Sequence, residues 1–271
     1  MRATDSITDP ETIERCQDCA IMRAKGMSGF DVALHHIESA IQSGEYVSGM
    51  QLPTERELAA TLSVGRGAVR EAIRVLQAQG IVVSGTGPGN GTRIRVTPGD
   101  ALARMLRLHL ALDSTTVPDL TETRVVLEKA ACEDAVNHVP CSALTRAKVL
   151  LERMETHIGT EDFNGLDTAF HVALVEASGN HMLTMICTAI RHTLARPIRL
   201  AEQQLDDWPT FREGLVREHR AIFDAIERGD GALAGQLAEA HIRHAYDILL
   251  PSARAGSAEY LGQRAHLTTP V

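Results

Sequence analysis

Four side chains in the second half of the chain have the types and spacing of a metal site. Asp167 and His171 are four residues apart in an amphipathic segment, so both lie on one helix face, one turn apart. His219 and His241 lie on either side of the turn Gly229-Asp230, and two antiparallel helices joined there would bring them close. One carboxylate and three neutral imidazoles suit Zn²⁺, Ni²⁺ or Mn²⁺. By spacing alone, the same residues also fit ordinary core and surface positions.

Helices must position these side chains, because little of the sequence after Pro98-Gly99-Asp100 is typical of a strand. Aromatic residues make up only 3% of the chain, so the core is expected to consist of Leu, Val, Ile and Ala, as in a helical bundle. Short connections favour an antiparallel arrangement. The predicted helices are about 101–112, 117–138, 142–158, 161–178, 180–204, 209–228 and 231–250.

A different pattern precedes the bundle. Thr54 is placed to cap a first helix, Ser63-Val64-Gly65 forms a turn, and a second helix follows, with Val64 among its apolar positions and Gly80 at its end. Strands are predicted at Ile81-Val82-Val83 and at Thr92 to Val96, around a glycine-rich tip. Helix, turn, helix and β-wing in this order predict a winged helix-turn-helix that binds DNA.

The second helix of this motif carries a basic face. Arg66 and Arg70 are four residues apart and project from one side, with Arg74 one turn further on. Arginine suits bidentate contact with guanine in the major groove and contact with phosphates. For an isolated helix, three arginines would indicate only a solvated face.

Residues from about Phe30 to Val96 resemble the DNA-binding domain of the GntR family of bacterial transcription regulators. The resemblance implies that Arg56, Arg66 and Arg70 contact DNA and that the wing tip enters the minor groove. Family wings commonly carry a basic residue where Asn90 stands. The expected DNA-binding set is Arg56, Gly65, Arg66, Gly67, Arg70, Asn90 and Gly91. The matching residues are Ile41, Gly44, Leu52 to Ala59, Val64, Arg66, Val69 to Ala72, Leu76, Gly80 and Gly91-Thr92.

Residues 100–250 resemble the FCD domain, the ligand-binding domain of the FadR subgroup of that family. The matching residues are Arg124, Glu128, Asp167, Phe170, His171, Ser178 to Asn180, Glu218-His219, Ala225-Ile226, Gly229-Asp230 and His241. The resemblance implies a divalent metal held by Asp167, His171, His219 and His241. It also places Arg124 at the cavity, where it could bind an effector carboxylate; the alternative is an ion pair with Glu128.

The remaining histidines and the cysteines do not indicate a second metal or redox site. His244 is expected beside the site or at the surface, and the histidines at 138, 157, 181 and 192 have no matching partner. Cys16 and Cys19 form a C-x-x-C without a second ligand pair, so they are interpreted as incidental thiols rather than a redox or zinc site. Five scattered cysteines indicate a reducing, cytoplasmic environment, and no segment has the length and apolarity of a membrane span.

The net charge of −8 belongs mostly to the second half. Residues 1–98 carry 10 basic and 11 acidic side chains, whereas residues 99–271 carry 17 and 24. The acidic total therefore does not exclude a basic DNA-binding patch. A modest patch instead suggests that two copies bind together, with salt-sensitive affinity.

Together these patterns predict a mainly α protein: a winged helix-turn-helix with a small β-wing, then an all-α antiparallel bundle. The expected function is a homodimeric, metabolite-responsive transcription regulator, most simply a repressor, that binds operator DNA, a metal ion and a small carboxylate. Two alternatives remain, a structural metal with an uncharged or acyl effector, and a metal-dependent hydrolase. The expected organisation is a mobile arm (1–28), a DNA-binding domain (29–98), a linker and connecting helix (99–116), an effector domain (117–250) and a tail (251–271).

Overall fold

The computed structural model describes residues 26–85, 91–95, 98–156 and 163–251. The chain forms two compact units, Met1–Ala101 and Leu102–Val271. Within the described residues the molecule is mainly helical, with one two-stranded sheet, so the predicted fold class is confirmed. None of the described helices is long and apolar enough to cross a membrane.

In the described part of the first unit, three helices pack against a short antiparallel hairpin. Val83 pairs with Arg93 in the hairpin, and Gln51 adds a single bridge to the same strand. Its core is built mainly from aliphatic side chains contributed by every element. The elements are α1 (Gly29–Gln42), α2 (Glu55–Leu62), α3 (Arg66–Ala78), β1 (Val82–Ser84) and β2 (Thr92–Ile94).

The second unit is a helical bundle, and α4 runs across the boundary into it. Its largest core is aliphatic and alanine-rich and also includes Phe163, Phe170 and Phe223. The helices are α4 (Pro98–Ala111), α5 (Val117–Ala135), α6 (Ser142–Thr156), α7 (Phe163–Ala177), α8 (His181–Glu202), α9 (Trp208–Glu227) and α10 (Gly231–Leu249), with one 3-10 turn (Val136–His138) after α5.

Side-chain caps fix where several helices begin. The Thr54 hydroxyl accepts from the backbone N–H of Glu57, and the Glu57 carboxylate accepts from that of Thr54. This capping box satisfies two backbone donors that the helix itself leaves unpaired. A second box joins Thr116 and Asp119 at the start of α5. The predicted cap at Thr54 is therefore confirmed.

Two predicted boundaries were wrong. Val64 lies in the turn rather than in the second helix, because Ser63 adopts a left-handed conformation with φ of 52° and α3 begins only at Arg66. The helix predicted from about residue 101 begins earlier, since Pro98 is the first residue of α4. Proline is compatible with that position because the first helical N–H has no intrahelical acceptor.

Candidate metal centre and DNA-binding surface

The predicted ligands from three helices meet inside the second unit. The Nε2 atoms of His171 and His219 are 3.2 Å apart, and each lies 3.1 Å from Nε2 of His241. Asp167 Oδ1 lies 3.1 Å from Nε2 of His219 and 3.7 Å from that of His171. The three imidazoles are buried, whereas the Asp167 side chain is 18% exposed. The structure thus brings all four side chains into one cluster, which we call the His₃Asp cluster.

Local backbone geometry accounts for this convergence. Asp167 and His171 are one turn apart on α7, so they present to the same side. Gly229 adopts a positive φ of 77° after α9, and Asp230 then caps α10 through the N–H of Leu233. This tight turn makes α9 and α10 antiparallel neighbours, which places His219 opposite His241.

Two further carboxylates orient two of the imidazoles. Nδ1 of His171 donates to Glu128 Oε2 at 3.0 Å, and Nδ1 of His241 donates to Glu218 Oε2 at 2.7 Å. An imidazole that carries its proton on Nδ1 has its lone pair on Nε2. Both rings therefore direct a lone pair into the His₃Asp cluster.

Burial disfavours the charged form of two of the cluster's histidines, His219 and His241. It lowers the pKa of His219, against the opposing effect of Asp167, and lowers the pKa of His241 well below its usual value, with His219 and His171 adding to the shift. Among the described residues, Nδ1 of His219 is buried without a hydrogen-bond partner. Neutral imidazole is the form that binds metal ions.

Asp167 supplies the negative charge. Burial alone would raise the pKa of its carboxyl group, but His171, His219 and Arg124 outweigh that effect and lower the pKa to about 2. Its second oxygen, Oδ2, accepts from Arg191 at 3.1 Å. Asp167 is therefore ionised at neutral pH, and one of its oxygens faces the imidazoles.

The donor set fits a divalent transition metal. All four ligand atoms lie within 4.8 Å of one another. At metal–nitrogen distances of about 2.0–2.1 Å, tetrahedral ligands are about 3.3–3.4 Å apart and octahedral neighbours about 2.8–3.0 Å. The nitrogen separations of 3.1–3.2 Å lie between these values. Inward lone pairs at this spacing repel one another unless a cation or proton lies between them.

Glu128 lies at the centre of a buried network of charged side chains. The sequence indicated only its contact with Arg124. It accepts from Nε of Arg124 at 2.6 Å and from Nε and Nη2 of Arg191 at 2.9 and 3.0 Å, in addition to His171. The alternative for Arg124, an ion pair with Glu128, is therefore present, and Arg124 also donates to the Tyr246 hydroxyl. The spacing of four residues indicated the pair of Arg124 and Glu128. The contacts of Glu128 with Arg191 and His171 have no local sequence signal.

Among the described residues, the other histidines do not belong to the His₃Asp cluster. His244 is half-exposed and its Nδ1 contacts Glu218 Oε1 at 2.7 Å, which makes it a neighbour of the site, as expected. His138 is exposed and pairs loosely with Asp134. His181 and His192 are exposed on α8, and His157 lies outside the described residues.

The predicted DNA-binding arginines lie on the surface of the first unit. Arg66, Arg70 and Arg74 are exposed on α3, and Arg56 is exposed on α2. Gly65 caps α3 with an extended backbone. Gly67 follows in its first turn, and an added Cβ would meet nothing there. The charges of Arg66, Arg70 and Arg74 all act on the carboxyl group of Glu55, which contacts Arg70 directly.

The described residues of the wing include its two strands but not its tip. Asn90 lies outside the described residues. A Cβ at Gly91 would meet the side-chain amide of Gln51, the end of a flexible side chain that can move away. Arg93 and Arg95 on the returning segment are exposed and add positive charge to the first unit.

Comparison with known proteins finds a matching family model for each of the two units. The family model described as "Bacterial regulatory proteins, gntR family" matches residues 31–94, and the FCD domain model matches residues 119–244. The transcriptional repressor NanR of Klebsiella aerogenes is 30% identical over 76% of this chain and 80% of its own. The regulator LutR of Bacillus subtilis is 29% identical over 77% of this chain and 95% of its own. A Streptococcus agalactiae GntR structure has the same fold, with a TM-score of 0.55, 24% identity, and coverage of 79% of this chain and 98% of that one.

Proposed function

Because the chain belongs to the GntR family of bacterial transcription regulators and carries an FCD domain, we propose that it is a metabolite-responsive repressor. In this proposal the second unit binds a divalent metal and a small carboxylate, and effector binding changes operator affinity. The relatives named above are transcription regulators rather than enzymes. The repressor assignment follows NanR, whose name describes it as a transcriptional repressor.

One observation carries the metal assignment: three buried Nε2 atoms and an ionised carboxylate converge, and Glu128 and Glu218 fix two of the tautomers. Asp167, His171, His219 and His241 would hold the ion. Zinc, nickel and manganese all accept this donor set. When bound, the metal supplies positive charge and open coordination positions for an anionic ligand.

Charge balance supports a carboxylate effector. The buried arginines Arg124 and Arg191 are balanced by Glu128 and Asp167, and Glu218, which contacts His241 from the edge of the site, adds one further carboxylate. A divalent ion with neutral imidazoles adds a net charge of about +2 to a buried region, which favours an anion beside it. A small hydroxy-, keto- or sugar acid has the required chemistry.

The first unit would read operator DNA as one half of a homodimer. Arg66 and Arg70 on α3 would enter the major groove, and Arg56 would contact the backbone or an adjacent base. We also propose residues 29–98 as the DNA-binding domain, 117–250 as the effector domain and 99–116 as the connection between them. Effector control requires that ligand and operator favour different arrangements of the two DNA-binding heads.

Thermal unfolding with a panel of carboxylates tests the effector proposal. With metal bound, one class of small acid is expected to raise the melting temperature, because a ligand that binds only the folded state stabilises it. The increase should vanish after chelation and in Asp167→Ala. An increase that survives in both conditions would show that the acid binds elsewhere.

A second candidate, a structural metal with an uncharged effector, is favoured by the contacts of Arg124. This predicted carboxylate anchor is held by Glu128 and Tyr246. Under this alternative, chelation lowers the melting temperature while no acid changes it. Neutral or acyl compounds would then be the ligands to screen, and metal removal would unfold the second unit.

Replacement of Arg66 tests the DNA-binding surface. Arg66→Ala is expected to weaken operator binding about tenfold or more, because a lost base or phosphate contact costs about 1–3 kcal/mol. Fluorescence anisotropy with an operator fragment at several salt concentrations measures this change. Arg228→Ala is the control, since Arg228 is an exposed arginine of the second unit, and its affinity should remain that of the wild type. Equal affinities for the two variants would contradict the proposed surface.

A further inference from the structure

We propose that Glu55 is a positioning residue for DNA recognition, which holds the Arg70 guanidinium in the orientation that contacts a base. This inference rests on the DNA-binding role proposed for Arg70. Glu55 is the first residue of α2 and Arg70 lies in the second turn of α3, so the pair connects the two helices of the motif. Neither the family match nor the sequence spacing assigned Glu55 a role.

The contact uses one defined edge of the guanidinium. Nε of Arg70 donates to Glu55 Oε1 at 3.1 Å and to Oε2 at 3.0 Å, and Nη2 donates to Oε2 at 2.7 Å. A guanidinium has five N–H donors in a planar fork. The Nε–Nη2 edge is therefore occupied, while Nη1 and the second proton of Nη2 still form the end-on pair of donors. That pair matches the two acceptors of guanine in the major groove.

The position of Glu55 on the surface supports a positioning role over a stabilising one. The Arg70 side chain is 57% exposed and that of Glu55 34% exposed, and pairs in such positions contribute little to folding stability. The geometry nevertheless involves two donors on one plane, which restricts the rotation of a long side chain. Bidentate contact is the feature of arginine that gives geometric specificity.

The negative charge of Glu55 also affects binding to non-specific DNA. The hydrogen bond from Arg70 lowers the pKa of Glu55, and the charges of Arg66 and Arg74 on the same face act in the same direction. An ionised Glu55 therefore lies within the basic surface of α3 and partly cancels it. Non-specific binding depends mainly on phosphate contacts, so this carboxylate weakens it, whereas a preoriented Arg70 favours the specific site. Both effects raise the ratio of specific to non-specific affinity.

Glu55→Gln tests the inference in the full-length protein with metal bound. Operator affinity is expected to fall and affinity for unrelated DNA to rise, so that the ratio of the two drops about tenfold or more. The slope of log affinity against log salt for unrelated DNA should steepen by about 0.9, because Arg70 becomes available to one more phosphate. Glu71→Gln is the matched control, since it removes one exposed negative charge from α3, whereas the described contacts of Arg70 are with Glu55.

A double-mutant cycle separates the possible outcomes. If Glu55 acts through Arg70, then Glu55→Gln changes operator affinity much less in an Arg70→Ala background than in the wild type. Equal changes in the Glu55→Gln and Glu71→Gln variants would overturn the inference and leave a general charge effect. Wild-type operator affinity in Arg70→Ala would instead overturn the DNA-binding role of Arg70 itself. An unchanged melting temperature in Glu55→Gln is expected, and a large fall would assign the pair to folding.

Discussion

Glu128→Gln is expected to lower the free energy of unfolding of the second unit by about 3–5 kcal/mol, the range for breaking a buried ion pair from one side. Glu128 is buried and lies between Arg124 and Arg191. A glutamine of the same size keeps one acceptor oxygen but removes the negative charge. Asp167 would then be the remaining carboxylate in contact with Arg191 within the described site. Two guanidinium groups cannot lose their charge in a protein, so the cost falls on folding.

Urea denaturation of the metal-free protein measures this effect without a contribution from metal binding. The midpoint should fall while the slope stays the same, which identifies a change in stability rather than in the unfolded state. Glu239→Gln is the matched control. Glu239 also accepts from two cationic side chains, Lys129 and Arg243, but at the surface of α10. Its midpoint should stay close to the wild type, and a similar small change for Glu128→Gln would contradict the importance of the buried charge.

The sequence predicted the helices well because each has its own local signals. Capping side chains at Thr54, Thr116 and Asp230 and the positive-φ glycines Gly80 and Gly229 lie at element ends, and these preferences act over a few residues. The errors at Val64 and Pro98 also lie at ends. There, the conformation of one residue, such as Ser63, decides where the helix begins.

The candidate metal ligands could be predicted only in part from spacing. Asp167 and His171 are linked by helical geometry, and His219 and His241 by a hairpin turn, but no local rule joins the two pairs. The resemblance to a known family supplied that link. The charges around them were less visible, since Glu128 contacts Arg191 across 63 residues and His171 across 43. Such contacts depend on how α5, α7 and α8 pack together, which a single sequence does not encode in any short pattern.

His219→Ala is expected to reduce metal affinity more than about 100-fold. Loss of an outer partner of a ligand typically costs about 10–100-fold, and loss of the ligand itself should exceed that range. His219 contributes one of the three converging nitrogens and is fully buried. Water is therefore poorly placed to replace it. Equilibrium dialysis with metal analysis of each fraction measures both the affinity and the expected stoichiometry of one ion per chain.

Two further variants, Glu218→Gln and His181→Ala, are compared with His219→Ala for metal affinity. Glu218 orients His241 through Nδ1, so its loss should weaken metal binding about 10–100-fold while leaving all four ligands in place. His181 is exposed at the start of α8, and its replacement should not change the affinity. At a metal concentration about 1,000 times the wild-type Kd, metal stabilises the wild type by about 4 kcal/mol, and a variant with a 100-fold weaker Kd by only about 1.4 kcal/mol. Chelation should therefore lower the melting temperature most in the wild type and in His181→Ala, less in Glu218→Gln and least in His219→Ala. Any other order would mean that the His₃Asp cluster is not where the metal binds.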